Sequence, residues 1–217
     1  MLDCGWEVQT MSVTAQPLSP ALPPNDALPD APIYRLSVAQ YHAMGEHGIL
    51  GEDDPVELLE GLLVRKMTKY RPHTLTTGLV RRALERLLPT GWYVESQEPI
   101  TTVESEPEPD AMVVRGEPRD LRDRQPGPEE VVLVVEVADS SLVTDQGTKK
   151  RVYARAGILV YWIANLVEGR FEVYTEPTGP AEQPDYRQRQ EYGPDDEIPV
   201  VLDGDEVGRL LVRELLP

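Results

Sequence analysis

The chain of 217 residues contains a single cysteine, Cys4. A lone thiol excludes an internal disulfide framework and a cysteine-based zinc site, and it points to a reducing, cytoplasmic setting. No apolar run approaches the roughly 18 residues that a membrane span requires, so no membrane partner is expected. The N-terminus lacks a basic segment followed by an apolar one, the pattern of a secretory signal. Positive charge is also scarce. There are 21 Lys and Arg against 38 Asp and Glu, a formal net charge of −17, which argues against a protein that simply coats nucleic acid. No internal repeat and no base-reading motif is present. What remains, 40% hydrophobic and 27% charged residues, suits one folded domain with a real core.

The charge is unevenly spread. Residues 1–32 hold four acids, no Lys or Arg and six prolines, and are expected to form a disordered, proline-rich leader. Residues 33–217 are expected to form a single domain with an acidic C-terminal portion, since 176–217 holds eleven acids against four Arg. Between these lies a basic stretch in which Arg65, Lys66, Lys69, Arg71, Arg81, Arg82 and Arg86 are opposed by Glu85 alone. A second basic cluster consists of Lys149, Lys150, Arg151 and Arg155. Either cluster alone reads as a solvated helix face. Both beside one carboxylate site point to a phosphate-binding surface.

The hydrophobic pattern predicts an α/β domain. Ser37 caps a short helix over 37–48, 62–67 reads as a strand, and a helix follows Pro72 from His73 to about Leu88. Its predicted apolar face is Leu75, Leu79, Val80, Ala83, Leu84, Leu87 and Leu88. Strands are expected at 92–96, 131–138, 158–164 and 171–175, with a loop over 115–130 and a helix from about Gln146 to Ala156. The spacing of 131–164 is that of a β–α–β unit with a parallel pair. The apolar patch 208–216 reads as either strand or helix.

Residues 109–149 carry the chemistry. In a strand over 131–138, alternation puts Val132, Val134, Glu136 and Ala138 on one face, with a run of apolar residues ahead of Glu136 that suits a central strand. An ionised carboxylate buried there needs a metal, a lysine or both. Asp110 at the head of one strand, Glu136 within the next and Lys149 on the following helix can converge on one point. Two carboxylates and a lysine suit Mg²⁺-dependent phosphodiester hydrolysis. The plainer reading of Glu136 and Lys149 is a structural ion pair. Asp145 is expected to cap the helix, and Tyr153, one turn after Lys149, to pack.

The stretches VELLEG (56–61), PDAMVV (109–114), LVVEVADSS (133–141), Asp145-x-x-x-Lys149 and KKRVYARAGILVYW (149–162) resemble the Uma-two family of restriction-endonuclease-like proteins, within the PD-(D/E)xK nuclease superfamily. The resemblance runs from about Ile33 to Tyr174. It implies a mixed central β-sheet flanked by helices, dependence on Mg²⁺ (or Mn²⁺), a DNA substrate and a homodimer. By the same resemblance, Asp110 and Glu136 bind metal, with the Val137 carbonyl as a further ligand. Ala138 stands where the superfamily usually has its lysine, and Lys149 takes that role from the next helix. Glu57 holds or orients metal-bound water, while Arg71, His73, Lys150 and Arg151 are the expected nucleic-acid contacts. The chain departs from the family pattern at Asp139, Ser140 and Val160, none of which is a proposed ligand. The reading is an endonuclease; its rival is a non-catalytic nucleic-acid-binding or interaction protein on the same fold with a vestigial metal site.

Overall fold

The computed structural model describes residues 32–51 and 53–217. Residues 35–217 form a compact unit, the second of two along the chain. The leader expected over 1–32 lies, apart from Pro32, outside the described residues.

In the second unit, helix α1 (Val38–Glu46) is opened by Ser37, whose side chain accepts from the Gln40 amide in a capping box. Strands β1 (Val56–Leu59) and β2 (Leu62–Arg65) form an antiparallel hairpin. Its two-residue turn, Glu60-Gly61, has positive φ at both positions. A Cβ on Gly61 would stand 2.6 Å from the Arg35 side chain, so glycine is required there. Helix α2 (Arg71–Leu87) starts two residues before the expected His73 and carries Pro72 in its first turn, where no amide is needed.

Six strands make the central sheet, in the order β3 (Trp92–Glu95), β4 (Ala111–Arg115), β5 (Val131–Ala138), β6 (Val160–Asn165), β7 (Arg170–Pro177), β8 (Tyr186–Tyr192). Only β5 and β6 run parallel, joined by the expected helical crossover. That crossover is α3 (Leu142–Thr144), a π-helical turn (Asp145–Lys149) and α4 (Lys150–Ala156), so helix begins before the expected Gln146. Gly157, in the left-handed region, ends it.

All eight residues of β5 are buried, as its valine-rich run requires of a strand covered on both faces. One face packs on α2 through Val80 and Leu84 and on the C-terminal segment through Ile198, Val200 and Leu215. The other packs on α4 through Tyr153 and Ala154. Each fully buried Val, Leu or Ile contributes about 1.5–3 kcal/mol.

Two expectations need correction. Val132 does not share a face with Val134 and Ala138: it packs with Val135 and Val137 on the α2 side. The cause is a register shift, because Val113 pairs with Leu133 but Val114 with Val131, leaving Val132 as the extra residue. Leu75 is 36% exposed, and the inward stripe of α2 instead includes His73, Thr76 and Thr77. The acidic C-terminal portion, where the sequence left 208–216 open between strand and helix, adds three strands: β8 is a sheet edge, and β9 (Glu197–Leu202) pairs with β10 (Asp205–Leu211). Five consecutive residues of β8 are exposed, so charge guards an edge there and leaves no alternation to read. Among the described residues, no helix is long and apolar enough to cross a membrane.

Candidate active site

Strands β4 and β5 are antiparallel with Ala111 opposite Val135, so one step further along sets Asp110 beside Glu136. Asp110 is 4% exposed and Glu136 3%. The Val137 amide donates to Asp110 Oδ2 at 2.8 Å, which ties the head of β4 to β5. His73 Nε2, from the first turn of α2, lies 3.1 Å from the same oxygen, and its Nδ1 is buried with no partner. Lys69, from the irregular strap between β2 and α2, puts Nζ 3.0 Å from Asp110 Oδ1.

Lys149 reaches Glu136 because the chain before it winds as a π turn. The Lys150 amide bonds back to the Asp145 carbonyl, five residues earlier, and Tyr161 OH donates to that carbonyl at 3.0 Å. Extra residues in a helical turn re-aim side chains and recur at functional sites. Here both Asp145 and Lys149 are buried. Lys149 Nζ donates to Glu136 Oε1 at 2.9 Å and stands 3.3 Å from Glu57 Oε2. Tyr153 OH donates to the same Glu136 oxygen at 2.6 Å. Asp145 does not cap a helix with its carboxylate; it accepts from Ser141 Oγ at 2.6 Å. Glu57, Asp110, Glu136, Asp145 and Lys149 border an open cleft of about 90 Å³, room for several waters or a hydrated ion.

The electrostatics follow from crowding four carboxylates in one place. Burial, against the pull of Lys149 and helped by Asp145, Asp110 and Glu57, pushes Glu136 up to about 8. Burial likewise pushes Asp145 up to about 6. Burial disfavours the charge on Lys149, but Glu136, Glu57 and Asp145 outweigh it and hold the ammonium above its ordinary range. At Asp110 burial is outweighed by His73, Lys69 and the Val137 amide, and the carboxylate stays below its usual range.

Glu57, Asp110, Glu136, Lys149 and His73 therefore border one cleft. Val137 is adjacent, engaging Asp110 through its amide. Arg71, Lys150 and Arg151 do not line it. Lys150 pairs with Asp185 at 2.9 Å, Arg151 with Glu60 at 2.6 Å, and Arg71 is exposed at the start of α2. Lys69 was absent from the sequence-derived site, where it was visible only as one member of a basic run. Among the described residues, no group of three or more His, Cys, Asp or Glu side chains is arranged to enclose an ion. The carboxylates bordering the cleft are those of Glu57, Glu108, Asp110, Glu136, Asp139 and Asp145.

The sequence model of the Uma2 family, described as "putative restriction endonuclease", matches residues 38–204. The chain belongs to the Uma2 family. A solved structure described as a "putative nuclease belonging to DUF820", from Anabaena variabilis, shares the fold. The match has a TM-score of 0.56 at 16% identity and covers 78% of this chain and 94% of that one. No curated protein matches the chain. The six-stranded mixed sheet with its flanking helices is thus the framework on which this Uma2 chain assembles Asp110, Glu136 and Lys149.

Proposed function

We propose that this protein is a Mg²⁺- or Mn²⁺-dependent endonuclease that hydrolyses phosphodiester bonds in DNA. The observation that carries the reading is the meeting of Asp110, Glu136 and Lys149 from three separate elements at one cleft. The donor set fits a hard divalent cation. All the candidate ligands are oxygens, the buried carboxylates outnumber the cations beside them, and Mg²⁺ needs one or two carboxylates with waters and substrate oxygens completing its shell. Asp110 and Glu136 would hold the ion, with the Val137 carbonyl as a further ligand. When bound, such an ion polarises a phosphoryl oxygen and lowers the pKa of water.

The remaining roles fall to the chain's own groups. Lys149, held above its ordinary pKa, acts as a fixed positive charge and not as a base. Its bonds to Glu136 and Glu57 aim it at the cleft, where charge builds on the phosphate. Tyr153 holds Glu136 by one oxygen, which fixes the carboxylate's orientation. Glu57, anchored by the Glu108 amide at 3.1 Å, orients water from the far side of Lys149. The test is cleavage of a DNA duplex with Mg²⁺ by the natural protein and by Asp110→Ala. Loss of cleavage in a folded variant is expected, and undiminished cleavage would refute the mechanism.

One observation favours a second reading, a binding protein with a vestigial metal site. Lys69 already pairs with Asp110 Oδ1, and the His73 ring stands against Oδ2. Calorimetric titration with Mn²⁺ separates the two, since the binding protein would take up no ion in the millimolar range.

A further inference from the structure

Two lysines meet the carboxylate cluster, and they are held in different ways. Lys149 is 7% exposed, lies within the helical crossover and is shared between Glu136 and Glu57. Lys69 has a side chain 34% exposed, stands on a strap without regular structure and makes one ion pair, to Asp110 Oδ1. The two Asp110 oxygens differ as well. Oδ2 is engaged by the Val137 amide in the sheet and faces the His73 ring on α2, both groups fixed by regular structure. Oδ1 faces only Lys69 among the described partners. A cation approaching Asp110 must therefore come to Oδ1, the position where the Lys69 ammonium stands.

We propose that Lys69 is a phosphate-binding residue held on Asp110 until a divalent cation displaces it. This rests on the nuclease reading given above. A partly exposed ion pair contributes little, so a doubly charged ion with a carboxylate on each side outcompetes a single ammonium on a flexible stem. The displaced ammonium stays at the mouth of the cleft, because Lys69 itself lines it. There the anionic group available to it is the phosphate of a bound strand, which a lysine meets as a point charge. Cation and substrate would then bind with mutual reinforcement. The cation frees Lys69 for the phosphate, and a phosphate that holds Lys69 opens Asp110 to the cation.

The test uses the full chain with two probes. Mn²⁺ alone is titrated calorimetrically, and a phosphorothioate DNA duplex, chosen to resist cleavage, is followed by fluorescence anisotropy in saturating Mn²⁺. Lys69→Met should bind Mn²⁺ roughly two- to fivefold more tightly, the worth of losing a partly exposed competing ion pair. The same variant should bind the duplex several-fold more weakly, with the salt dependence reduced by about one phosphate contact. Lys69→Arg, which keeps the charge, should stay near the natural protein on both measures. Unchanged or weaker Mn²⁺ binding by Lys69→Met, or unchanged duplex binding, overturns the role of Lys69 while the nuclease reading stands on its own titration. No Mn²⁺ uptake by the natural protein removes both.

Discussion

Glu136 and Glu172 are two buried glutamates in one row of the sheet: Glu136 on β5 pairs with Ile163 on β6, which pairs with Glu172 on β7. Their surroundings are opposite. Glu172, 0% exposed, receives Gln146 at 2.8 Å, Asn165 at 2.9 Å and Tyr174 OH at 2.5 Å, with Arg189 at 3.0 Å. Burial is outweighed by those partners, and its pKa lies below the ordinary value. Glu136 takes its bonds from Lys149 and Tyr153 on one oxygen, faces three further acids, and is pushed up to about 8. Glu172 is a satisfied carboxylate of the kind that specifies a structure. Glu136 is left short of positive charge beside an open cleft, where perturbed acids mark function. Gln146 links the two, since it leaves the same π turn that delivers Lys149.

The contrast can be broken in four ways. The largest effect belongs to Glu136→Gln: DNA cleavage should fall by at least about 10²-fold, while circular dichroism reports an intact fold, because Lys149 keeps Glu57 and Asp145 nearby. If the two glutamates are of one kind, this variant will unfold instead. Next, Glu172→Ala should lower stability in urea unfolding by about 2–4 kcal/mol, since it strands two buried donors, the half-buried Gln146 and an arginine, part of whose share is lost to solvent screening.

The third effect is the sign of the pH dependence. A raised folded pKa means that the stability linked to Glu136 is complete below its ordinary 4.5 and is lost as pH rises toward about 8. Asp145 acts in the same direction up to about 6. Glu172, with a lowered pKa, has the opposite sign: its contribution is present above 4.5 and lost as pH falls through its folded value. Thermal melts of the metal-free protein between pH 5 and 8 should show stability declining with pH, and Glu136→Gln should flatten that slope. Smallest is Tyr153→Phe, which removes one donor from Glu136 for about 1 kcal/mol and should retain the fold. No loss in urea unfolding would mean that Tyr153 is chiefly a packing residue, since Phe keeps the ring and loses only the hydroxyl.

Most of the sheet and part of the site were legible before folding was considered. The run VVLVVEVA reads as a central strand because eight residues of mostly branched apolar side chains suit burial on both faces, and β5 lies between β4 and β6. The β–α–β spacing identifies the parallel pair, because a crossover of that length admits little else. Short-range pattern did not reveal the shift at Val132, which depends on what β4 offers as partner. Nor did it reveal β8, whose exposed polar residues give no alternation. For Lys150 and Arg151, composition could count charge but not see that Asp185 and Glu60 were waiting for it.

The sequence by itself determined the kinds of element present, the order of the acids and the lysine along the chain, and membership of a nuclease-like family, because periodicity and motif are local properties of the covalent chain. Only the tertiary structure decided which charges oppose one another. It put Lys69 and His73 on Asp110, Tyr153 and Lys149 on one oxygen of Glu136, and Gln146 on Glu172. Such pairings join positions as far apart as β1 and the crossover helix. Their energies depend on separation and burial in space, and neither quantity exists until the sheet has brought the elements together.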